Sequence, residues 1–281
     1  MIISVASGKG GTGKTSVAVN MALSVGNVKL LDCDVEEPNA HLLLHPKMQK
    51  KETVYTSIPK IDRTLCNTCG DCTRFCQYNA IFVTKEKILV FPELCHSCGG
   101  CALICPQKAI TWEKYEIGSI NFGANDGVAL VYGELNVCNP LSVPVIKSVK
   151  KQIKDKENVI LDSPPGTSCP FVETVIGSDF CLLVTEPTPF GLHDLKIAVK
   201  VLQKVKIPFG VVVNRAGIGN RKLYDYCAEK NIRVMLEIPY KRRISELYSK
   251  GVPFSLEMPE WEEKFKTLYI EIGRLVEKRN N

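Results

Sequence analysis

Short apolar runs alternate along the chain with longer stretches in which apolar residues recur every three or four positions. The short runs are rich in Val, Ile and Leu at consecutive positions, which is typical of strands buried on both faces of a parallel sheet. Such strands are predicted near residues 2–7, 28–33, 158–162, 180–185, 208–213 and 233–238. The periodic stretches predict helices near residues 14–25, 142–156, 169–177, 192–205, 219–230, 242–250 and 260–278. We therefore expect an α/β fold with a mostly parallel sheet that is covered by helices on both faces.

The region between the second and third predicted strands departs from this alternation. Residues 46–60 contain helix breakers and show no clear period, and we interpret them as a linker. The stretch from Ile117 to Leu135 has β-rich runs on either side of Ala-Asn-Asp-Gly, which predicts a hairpin. We expect a discontinuous main domain, residues 1–57 and 116–281, that carries a small α+β domain inserted at residues 58–115.

The composition is that of an ordinary globular chain. Of its 281 residues, 45% are hydrophobic and 23% are charged, which suits one large domain or one domain with a small insert. No stretch approaches the ~18 consecutive apolar residues that span a membrane. The first apolar run follows Met1 directly, without the basic segment of a signal peptide. These features predict a cytoplasmic protein.

The cysteines are concentrated in one segment. Eight of the 13 fall between Cys66 and Cys105, in two copies of the spacing C-x2-C-x2-C-x3-C. Disulfides would require an oxidising compartment, and structural zinc sites use two separated pairs, so zinc and free thiols are the weaker alternatives. Three closely spaced cysteines can hold three corners of an iron–sulfur cube, with the fourth ligand from the other copy. The two predicted [4Fe–4S] clusters are held by Cys66, Cys69, Cys72 and Cys105, and by Cys95, Cys98, Cys101 and Cys76.

The segment resembles a bacterial two-cluster ferredoxin over nearly its whole length. One departure is Gln77, which replaces the proline that usually follows the fourth cysteine of the first copy; Pro106 keeps it in the second. The cysteines also change the charge balance. The formal net charge is +6, and two clusters of roughly −2 each would bring the protein to about +2. Because the chain also lacks a basic tail, we expect no nucleic-acid partner.

A glycine-rich loop follows the first predicted strand and precedes the first predicted helix. Residues 8–15 fit G-x-x-x-x-G-K-[ST], and this context distinguishes a phosphate cradle from a turn that binds nothing. Lys14 is expected to reach the β- and γ-phosphates, and Thr15 to bind Mg²⁺. The candidate nucleotide-binding residues here are Gly8, Lys9, Gly10, Gly11, Thr12, Gly13, Lys14, Thr15 and Ser16.

Lys9, a second lysine at the start of this loop, resembles the deviant Walker A form of the MinD/ParA/Mrp group, which includes the nitrogenase iron protein. The resemblance covers almost the whole chain and implies an ATPase that dimerises around its nucleotides. Lys9 would then act on the partner's nucleotide; the alternative is a solvated loop lysine. The partner would be a second copy or a related ATPase.

Two further segments match this group. Asp32 and Asp34, followed by Pro38 and Asn39, resemble its switch I element. By this resemblance Asp34 orients or deprotonates the attacking water, while Asp32 supports Mg²⁺ or Lys14. Asp162 precedes Ser-Pro-Pro-Gly-Thr and resembles the Walker B/switch II element, where it would hold a Mg²⁺-bound water. The alternatives are a helix cap or ordinary loop charges.

The resemblance also places residues around the base of the nucleotide. Asn214 and Arg215 end one strand, and Pro239 and Tyr240 end the last one, which matches the adenine-side segments of the group. The N-K-x-D signature of guanine-specific GTPases is missing, so ATP is the expected nucleotide. Ordinary loop residues are the alternative.

Several residues remain outside these motifs. Trp261, Phe265, Leu268, Ile272 and Leu275 form a helical stripe that we interpret as core packing, in preference to a MinD-like membrane anchor. Cys181 and Cys227 are expected in the core and Cys138 on the surface. Cys169 follows the Pro-Pro-Gly-Thr bend, where it is either a small packed residue or, by resemblance, a ligand of a metal or cluster bridging two subunits.

Together these expectations describe an ATP-hydrolysing dimeric switch joined to a two-cluster electron carrier. We expect it to gate electron delivery to an acceptor protein or metal centre. The first alternative is an assembly factor of the Mrp type that delivers an iron–sulfur cluster or other metal. The second is a MinD/ParA-like positioning ATPase whose clusters sense redox state.

Overall fold

A twisted nine-stranded sheet forms the centre of the molecule. The computed structural model describes residues 1–280. The strands are β1 (Ile2–Ala6), β2 (Lys29–Asp32), β3 (Lys47–Ile61), β4 (Ile81–Val83), β5 (Ile88–Val90), β6 (Ile110–Asn125), β7 (Val128–Leu135), β8 (Val159–Asp162), β9 (Phe180–Thr185), β10 (Phe209–Ala216) and β11 (Val234–Pro239). The strand order of the large sheet is β11-β10-β9-β1-β8-β2-β7-β6-β3, and β4 pairs with β5 in a separate hairpin.

Seven neighbouring strands, from β11 to β7, are parallel, whereas β6 and β3 are antiparallel to their neighbours. All six strands predicted from the apolar runs are present, and the predicted mostly parallel α/β fold is confirmed. The predicted hairpin is also confirmed, because β6 pairs with β7 from Gly118↔Leu135 to Asn125↔Val128.

Residues 1–280 contain eleven α-helices, and those outside residues 62–109 cover both faces of this sheet. The eleven helices are α1 (Lys14–Val25), α2 (Ala40–Leu44), α3 (Asp71–Phe75), α4 (Gly100–Leu103), α5 (Ser142–Lys150), α6 (Cys169–Val175), α7 (Pro189–Val205), α8 (Lys222–Glu229), α9 (Arg242–Ser249), α10 (Phe254–Glu257) and α11 (Pro259–Asn280). Consecutive strand residues point to opposite faces, so Leu30 packs in the core with α1 and α11 while Leu31 packs in the core with α5.

Helix α11 belongs to the core. Trp261, Phe265, Leu268 and Ile272 are buried, and they lie in the same apolar cluster as α1. The predicted core-packing stripe is therefore confirmed. Among residues 1–280, no helix has the length and apolar character required to cross a membrane.

The interpretation of residues 46–60 as a linker is wrong. Lys47–Ile61 is a 15-residue strand that pairs with β6 from Lys47↔Ala124 to Ile61↔Ile110. Most residues of its first half are solvent-exposed because β3 is the last strand of the sheet, so no apolar alternation marks it in the sequence. Burial alternates only in its second half, where Val54 and Ile58 are buried.

Beyond the sheet, β3 and β6 continue as a two-stranded ribbon, Tyr55–Ile61 paired with Ile110–Glu116. The pairing shifts register between Val54 and Tyr55, which leaves Ile117 of β6 as a bulge residue. A bulge bends and twists a strand, so it marks the point where the ribbon leaves the sheet. The segment with the eight clustered cysteines, α3, the β4–β5 hairpin and α4 connects the two strands of the ribbon. The domain boundaries expected at 57/58 and 115/116 fall inside β3 and β6.

Candidate nucleotide site and cysteine-lined cavities

The glycine-rich loop connects β1 to α1 at the carboxyl edge of the sheet. Two of its glycines fit only without a side chain. A Cβ on Gly8 would lie 2.4 Å from the backbone oxygen of Asp194, and one on Gly13 would lie 2.4 Å from Asn214 Nδ2. Gly13 also has a left-handed backbone, with φ of 90°. The loop is thus held close to α7 and β10 at the start of α1, where the first N–H groups of a helix have no intrahelical partners and can bind a phosphate.

A cavity of about 420 Å³ opens beside this loop. The loop forms one side, and Asp34, Asn214, Pro239 and Tyr240 belong to the other walls. The structure therefore brings together residues that the sequence predicted at four separate places. Lys14 is buried at the base of the loop, where its ammonium faces the strand-end carboxylates.

Two of these carboxylates, Asp32 and Asp162, are completely buried on neighbouring strands. Asp32 accepts hydrogen bonds from the backbone N–H groups of Asp34, Asn39 and Ala40 at 3.0, 3.1 and 3.0 Å. Its carboxylate thus fixes the shape of the predicted switch I segment. Burial raises the pKa of Asp32 to about 6, although these hydrogen bonds and Lys14 act in the opposite direction.

Asp162 has a different environment. Within residues 1–280, neither of its carboxylate oxygens has a hydrogen-bond partner. Burial, followed by the charge of Asp32, raises the pKa of Asp162 well above its usual range, while Lys14 and the nearby Thr15 hydroxyl lower it. Two buried oxygens without partners suit a hydrated divalent cation, because buried carboxylates need a compensating charge or donor. Asp162 and Thr15 are therefore suitable to hold Mg²⁺.

Asp34 lies at the cavity wall and is only partly exposed. Burial raises its pKa to about 7; Lys14 lowers the pKa, and Asp32, Glu36 and Glu37 raise it. A carboxylate with a pKa near neutrality can accept and release a proton at physiological pH.

Lys9 lies at the rim of the site and contacts an acid that the sequence analysis missed. Its Nζ is 3.8 Å from Oε2 of Glu186, whose side chain is 7% exposed. Glu186 Oε1 also accepts a hydrogen bond of 2.7 Å from Arg215. Glu186 follows β9 directly, so its position after an apolar strand was the available signal. Arg215, predicted on the adenine side, is thus bound to an acid beside Lys9.

Asn214 is directed toward the loop. Its Nδ2 donates to the Thr12 backbone oxygen at 2.8 Å, and its Oδ1 accepts from the Arg215 N–H at 2.9 Å. The bond to Thr12 attaches the end of β10 to the phosphate loop, and the bond from Arg215 fixes the orientation of the Asn214 side chain. Tyr240 lines the cavity and is 62% exposed.

The eight clustered cysteines line two separate cavities in the segment carried by the ribbon. We refer to Cys66, Cys69, Cys72 and Cys105 as the first set and to Cys76, Cys95, Cys98 and Cys101 as the second set; each set lines its own cavity. Within residues 1–280, no three Cys, His, Asp or Glu side chains are grouped to hold one metal ion. In a cube the four sulfurs bind different irons, so they are spread more widely than the ligands of a single ion.

Backbone amides point at the cysteine that each copy contributes to the other cavity. The N–H of Ala80 donates to Cys76 Sγ and that of Ala109 donates to Cys105 Sγ, both at 3.4 Å. Burial raises the pKa of Cys101 to about 11. Such a thiol stays protonated at neutral pH until a metal replaces its proton. These cavities, lined by soft sulfur donors, fit thiolate-bound clusters.

Three of the scattered cysteines lie where the sequence predicted, whereas Cys169 is not the packed residue that was one of its two expected roles. Cys181 and Cys227 are buried in the core and Cys138 is exposed. Cys169 is exposed at the first residue of α6, directly after the predicted switch II bend.

Comparison with known families agrees with this geometry. The family model described as the CobQ/CobB/MinD/ParA nucleotide binding domain matches residues 3–254. The chain belongs to this MinD/ParA family. With its glycine-rich loop and buried acids, it is a P-loop ATPase, as predicted.

The family contains relatives that match almost the entire chain. Two uncharacterized proteins of Methanocaldococcus jannaschii are each 33% identical to it. One match covers 90% of this chain and 91% of the relative, and the other covers 98% of both. An iron-sulfur cluster carrier protein of Aquifex aeolicus is 22% identical over all of this chain and 69% of its own length.

Solved structures of MinD/ParA proteins share the fold. The septum site-determining protein MinD of Pyrococcus horikoshii, complexed with Mg-ADP, superposes with a TM-score of 0.59 at 21% identity. The match covers 98% of this chain and 96% of that one.

Proposed function

We propose that this MinD/ParA-type ATPase carries two [4Fe–4S] clusters and gates electron delivery to an acceptor protein or metal centre. The observation that carries the proposal is the continuity of β3 and β6. At one end both strands belong to the ATPase sheet, and at the other end they carry the two cysteine-lined cavities. A movement in the ATPase part therefore has a direct structural route to the cysteines.

The donor chemistry of the cavities supports two clusters. Each set supplies four sulfurs, three from one copy of the repeated motif and one from the other copy. A cluster bound there supplies one-electron transfer. The chain's own contribution is to hold the sulfurs, to donate the Ala80 and Ala109 amides to two of them and to shield the cavities with apolar side chains.

The ATPase site supports a nucleotide-dependent switch. Lys14 and the loop amides would bind the phosphates, while Thr15 and Asp162 would hold Mg²⁺. Asp34 would accept the proton of the attacking water, for which its pKa of about 7 is suitable. Asp32 would hold Asp34, Asn39 and Ala40 in register with the nucleotide through its three backbone hydrogen bonds.

Dimerisation would complete this switch. Lys9 is partly exposed at the rim of the cavity, where a second subunit could be reached. The partner would be another copy of this chain or a related ATPase. In this arrangement ATP closes the dimer, and hydrolysis reopens it.

The test uses full-length protein purified without oxygen. We expect about eight irons per chain, and a rate of cluster reduction by dithionite that differs at least several-fold between ATP, ADP and no nucleotide. The Asp34→Ala variant should bind ATP without hydrolysing it. Its rate of cluster reduction should therefore stay at the value that the wild type shows with ATP. Lys9→Ala should abolish the nucleotide dependence, whereas Lys204→Ala, an exposed lysine far along α7, should preserve it. Equal rates under all three conditions would refute the coupling.

Cluster delivery is the second candidate function. It is favoured by the distant similarity to an iron-sulfur cluster carrier protein and by the exposed position of Cys169 after the switch II bend. In that case an additional, labile cluster should transfer from the protein to an apo-ferredoxin. Cys169→Ser should stop this transfer and leave the eight other irons in place.

A positioning function in the manner of MinD remains as a third possibility with a direct assay. ATP-dependent sedimentation of the protein with liposomes would support it. The apolar stripe of α11 is buried against α1, so it does not offer an apolar face to a lipid surface.

A further inference from the structure

The two cysteine sets lie at different distances from the ATPase sheet. Pro59 and its cross-strand partner Trp112 line the cavity of the second set. Ile61 and its partner Ile110 line the cavity of the first set. Two residues along a strand correspond to about 7 Å. The second set is therefore the one nearer to the sheet along the ribbon.

The second set is also attached to the ribbon by side chains. Ser97, between Cys95 and Cys98, has a left-handed backbone with φ of 52°. Its hydroxyl donates to the backbone oxygen of Ser57. The same hydroxyl oxygen, Ser97 Oγ, lies 2.6 Å from Thr56 Oγ1. Because the Ser97 proton is used on a carbonyl, which can only accept, Thr56 must be the donor to Ser97.

The first set has no equivalent attachment. Thr68 occupies the position of Ser97 in the first copy and has a similar left-handed φ of 57°. Within the part of the chain that the structure describes, Thr68 makes no side-chain hydrogen bond to the ribbon. The loop around Thr68 is held by local hydrogen bonds, such as the one that the Cys69 N–H donates to Asn67 Oδ1 at 3.3 Å. Its hydrogen bonds nearest the ribbon are made to residues just beyond the ribbon's end: the Cys66 N–H donates to the Asp62 oxygen at 3.0 Å, and the Ala109 N–H donates to Cys105 Sγ at 3.4 Å.

A continuous apolar path joins the base of the ribbon to switch I. Val35 directly follows Asp34 and packs in one buried cluster with Val54 and Ile117. The contact at β7 is tight, since a Cβ on Gly133 would lie 2.6 Å from Val35. The cross-strand partner of Thr56, Tyr115, packs against this cluster.

Tyr115 also packs against a second small cluster, which contains Ile58, Ala80 and Cys95. Cys76 is half-buried against the same group. Tyr115 therefore packs against both the cluster that contains Val35 and the cluster that contains Cys95. Well-packed side chains of this kind transmit small displacements because they cannot deform continuously.

We propose that Thr56 and Ser97 are positioning residues that couple the nucleotide site to the second set alone. The cluster of that set is then the one whose redox potential responds to nucleotide, and the cluster of the first set is insensitive. Hydrogen bonds and backbone position around thiolate ligands are established determinants of cluster potential. This inference rests on the proposed function.

The test is a redox titration of the full-length holoprotein, followed by electron paramagnetic resonance, with ADP and with a non-hydrolysable ATP analogue. Cys69→Ser and Cys98→Ser each alter one set, and so they assign each signal to its set. We expect the potential of the second set alone to shift between nucleotides. Thr56→Val should reduce that shift by more than half while keeping the iron content.

The matched control is Thr111→Val. Thr111 Oγ1 also donates to ribbon backbone, the Lys60 oxygen at 3.3 Å, and within residues 1–280 its side chain has no hydrogen bond to either cysteine loop. This variant should keep the full shift. A shift confined to the first set, or an unchanged shift in Thr56→Val, would overturn this inference and leave the proposed function intact. If neither potential responds to nucleotide in the fully loaded wild type, this inference is also wrong, and the proposed function is then decided by the reduction rates.

Discussion

At the scale of single residues, the nucleotide site is dominated by buried acids without enough compensating charge. Asp32, Asp34 and Asp162 lie near one another, and Lys14 is the cation that lowers the pKa of all three. Burial favours the protonated form of each carboxyl group. The ionised carboxylates are therefore unfavourable until Mg²⁺ and nucleotide bind. This effect can be measured as a pH dependence of the free energy of unfolding.

We expect the nucleotide-free protein to lose stability as the pH rises from 5 to 8. The pKa values of Asp32 and Asp34 rise on folding to about 6 and about 7, so the folded state binds more protons than the unfolded state in this range. The free energy of unfolding then falls as pH rises through the folded pKa values, by a total on the order of 2–4 kcal/mol. Urea denaturation of the holoprotein, carried out without oxygen at each pH, measures this free energy of unfolding.

Asp34→Asn provides the internal check on this pH dependence. It should remove a large part of the slope, and saturating Mg²⁺ with ADP should flatten the wild-type profile, since a bound cation favours the ionised carboxylates. A profile that rises toward pH 8 without nucleotide would contradict the assignment.

Most of these acidic residues could be predicted from the sequence because they stand at the ends of apolar strands. Asp32 and Asp162 terminate apolar strands, and parallel strands end at the same edge of a sheet. Glu186 also follows a strand, but its role depends on Lys9 and Arg215, which are distant in sequence and meet it only in the fold. A contact of that kind has no signal in local spacing.

At the scale of elements, a lysine of α5 caps the end of α6. Lys150 donates to three backbone oxygens at the end of α6: that of Glu173, that of Thr174 at 3.1 Å and that of Ile176 at 2.7 Å. These are carbonyl groups that a helix end leaves without intrahelical partners. Because α6 directly follows the predicted switch II bend, we expect this cap to fix the position of α6 relative to α5.

Lys150→Met should therefore destabilise the protein by about 1.5–3 kcal/mol, the range for hydrogen bonds to a charged group. Lys147→Met is the matched control on the same helix. Lys147 is 57% exposed and lies 3.8 Å from the Glu173 carboxylate, so its loss should cost less than about 1 kcal/mol. Urea denaturation of both variants measures their free energies of unfolding. Similar decreases in the two variants would show that the Lys150 cap contributes little to stability.

Secondary-structure elements could be predicted where their burial leaves a pattern of apolar residues in the sequence. The parallel strands are apolar on both faces and were all visible in the sequence. Strand β3 was missed because its first half lies at the outer edge of the sheet, and there Lys50 and Lys51 are as compatible with a loop as with a strand. What specifies β3 is its pairing with β6, which the sequence does not display.

At the scale of the whole molecule, the segment carried by the ribbon has little core of its own. Its main apolar cluster comprises Ile81, Val83, Ile110 and two cysteines, Cys72 and Cys101. Small domains with so few buried apolar residues usually need a metal or another staple. The large sheet, in contrast, has extensive cores on both faces.

Removal of iron by a chelator should therefore loosen residues 62–109 selectively. We expect limited proteolysis to cut within this range after iron removal, at a rate at least tenfold above that of the holoprotein. The ATPase part should remain resistant and should still bind nucleotide. Mass spectrometry of the fragments locates the cuts, and cuts spread evenly over the sheet would contradict this expectation.

The outer edge of β3 also bears on how copies of the chain can associate. Lys50 and Lys51, each 64% exposed, lie on this last strand of the sheet. A second copy that added its own β3 there would bring ammonium groups against ammonium groups, which opposes growth into filaments by continued strand addition. We therefore expect the proposed dimer to form at the carboxyl ends of the strands, where Lys9 lies, and not through the outer edge of β3.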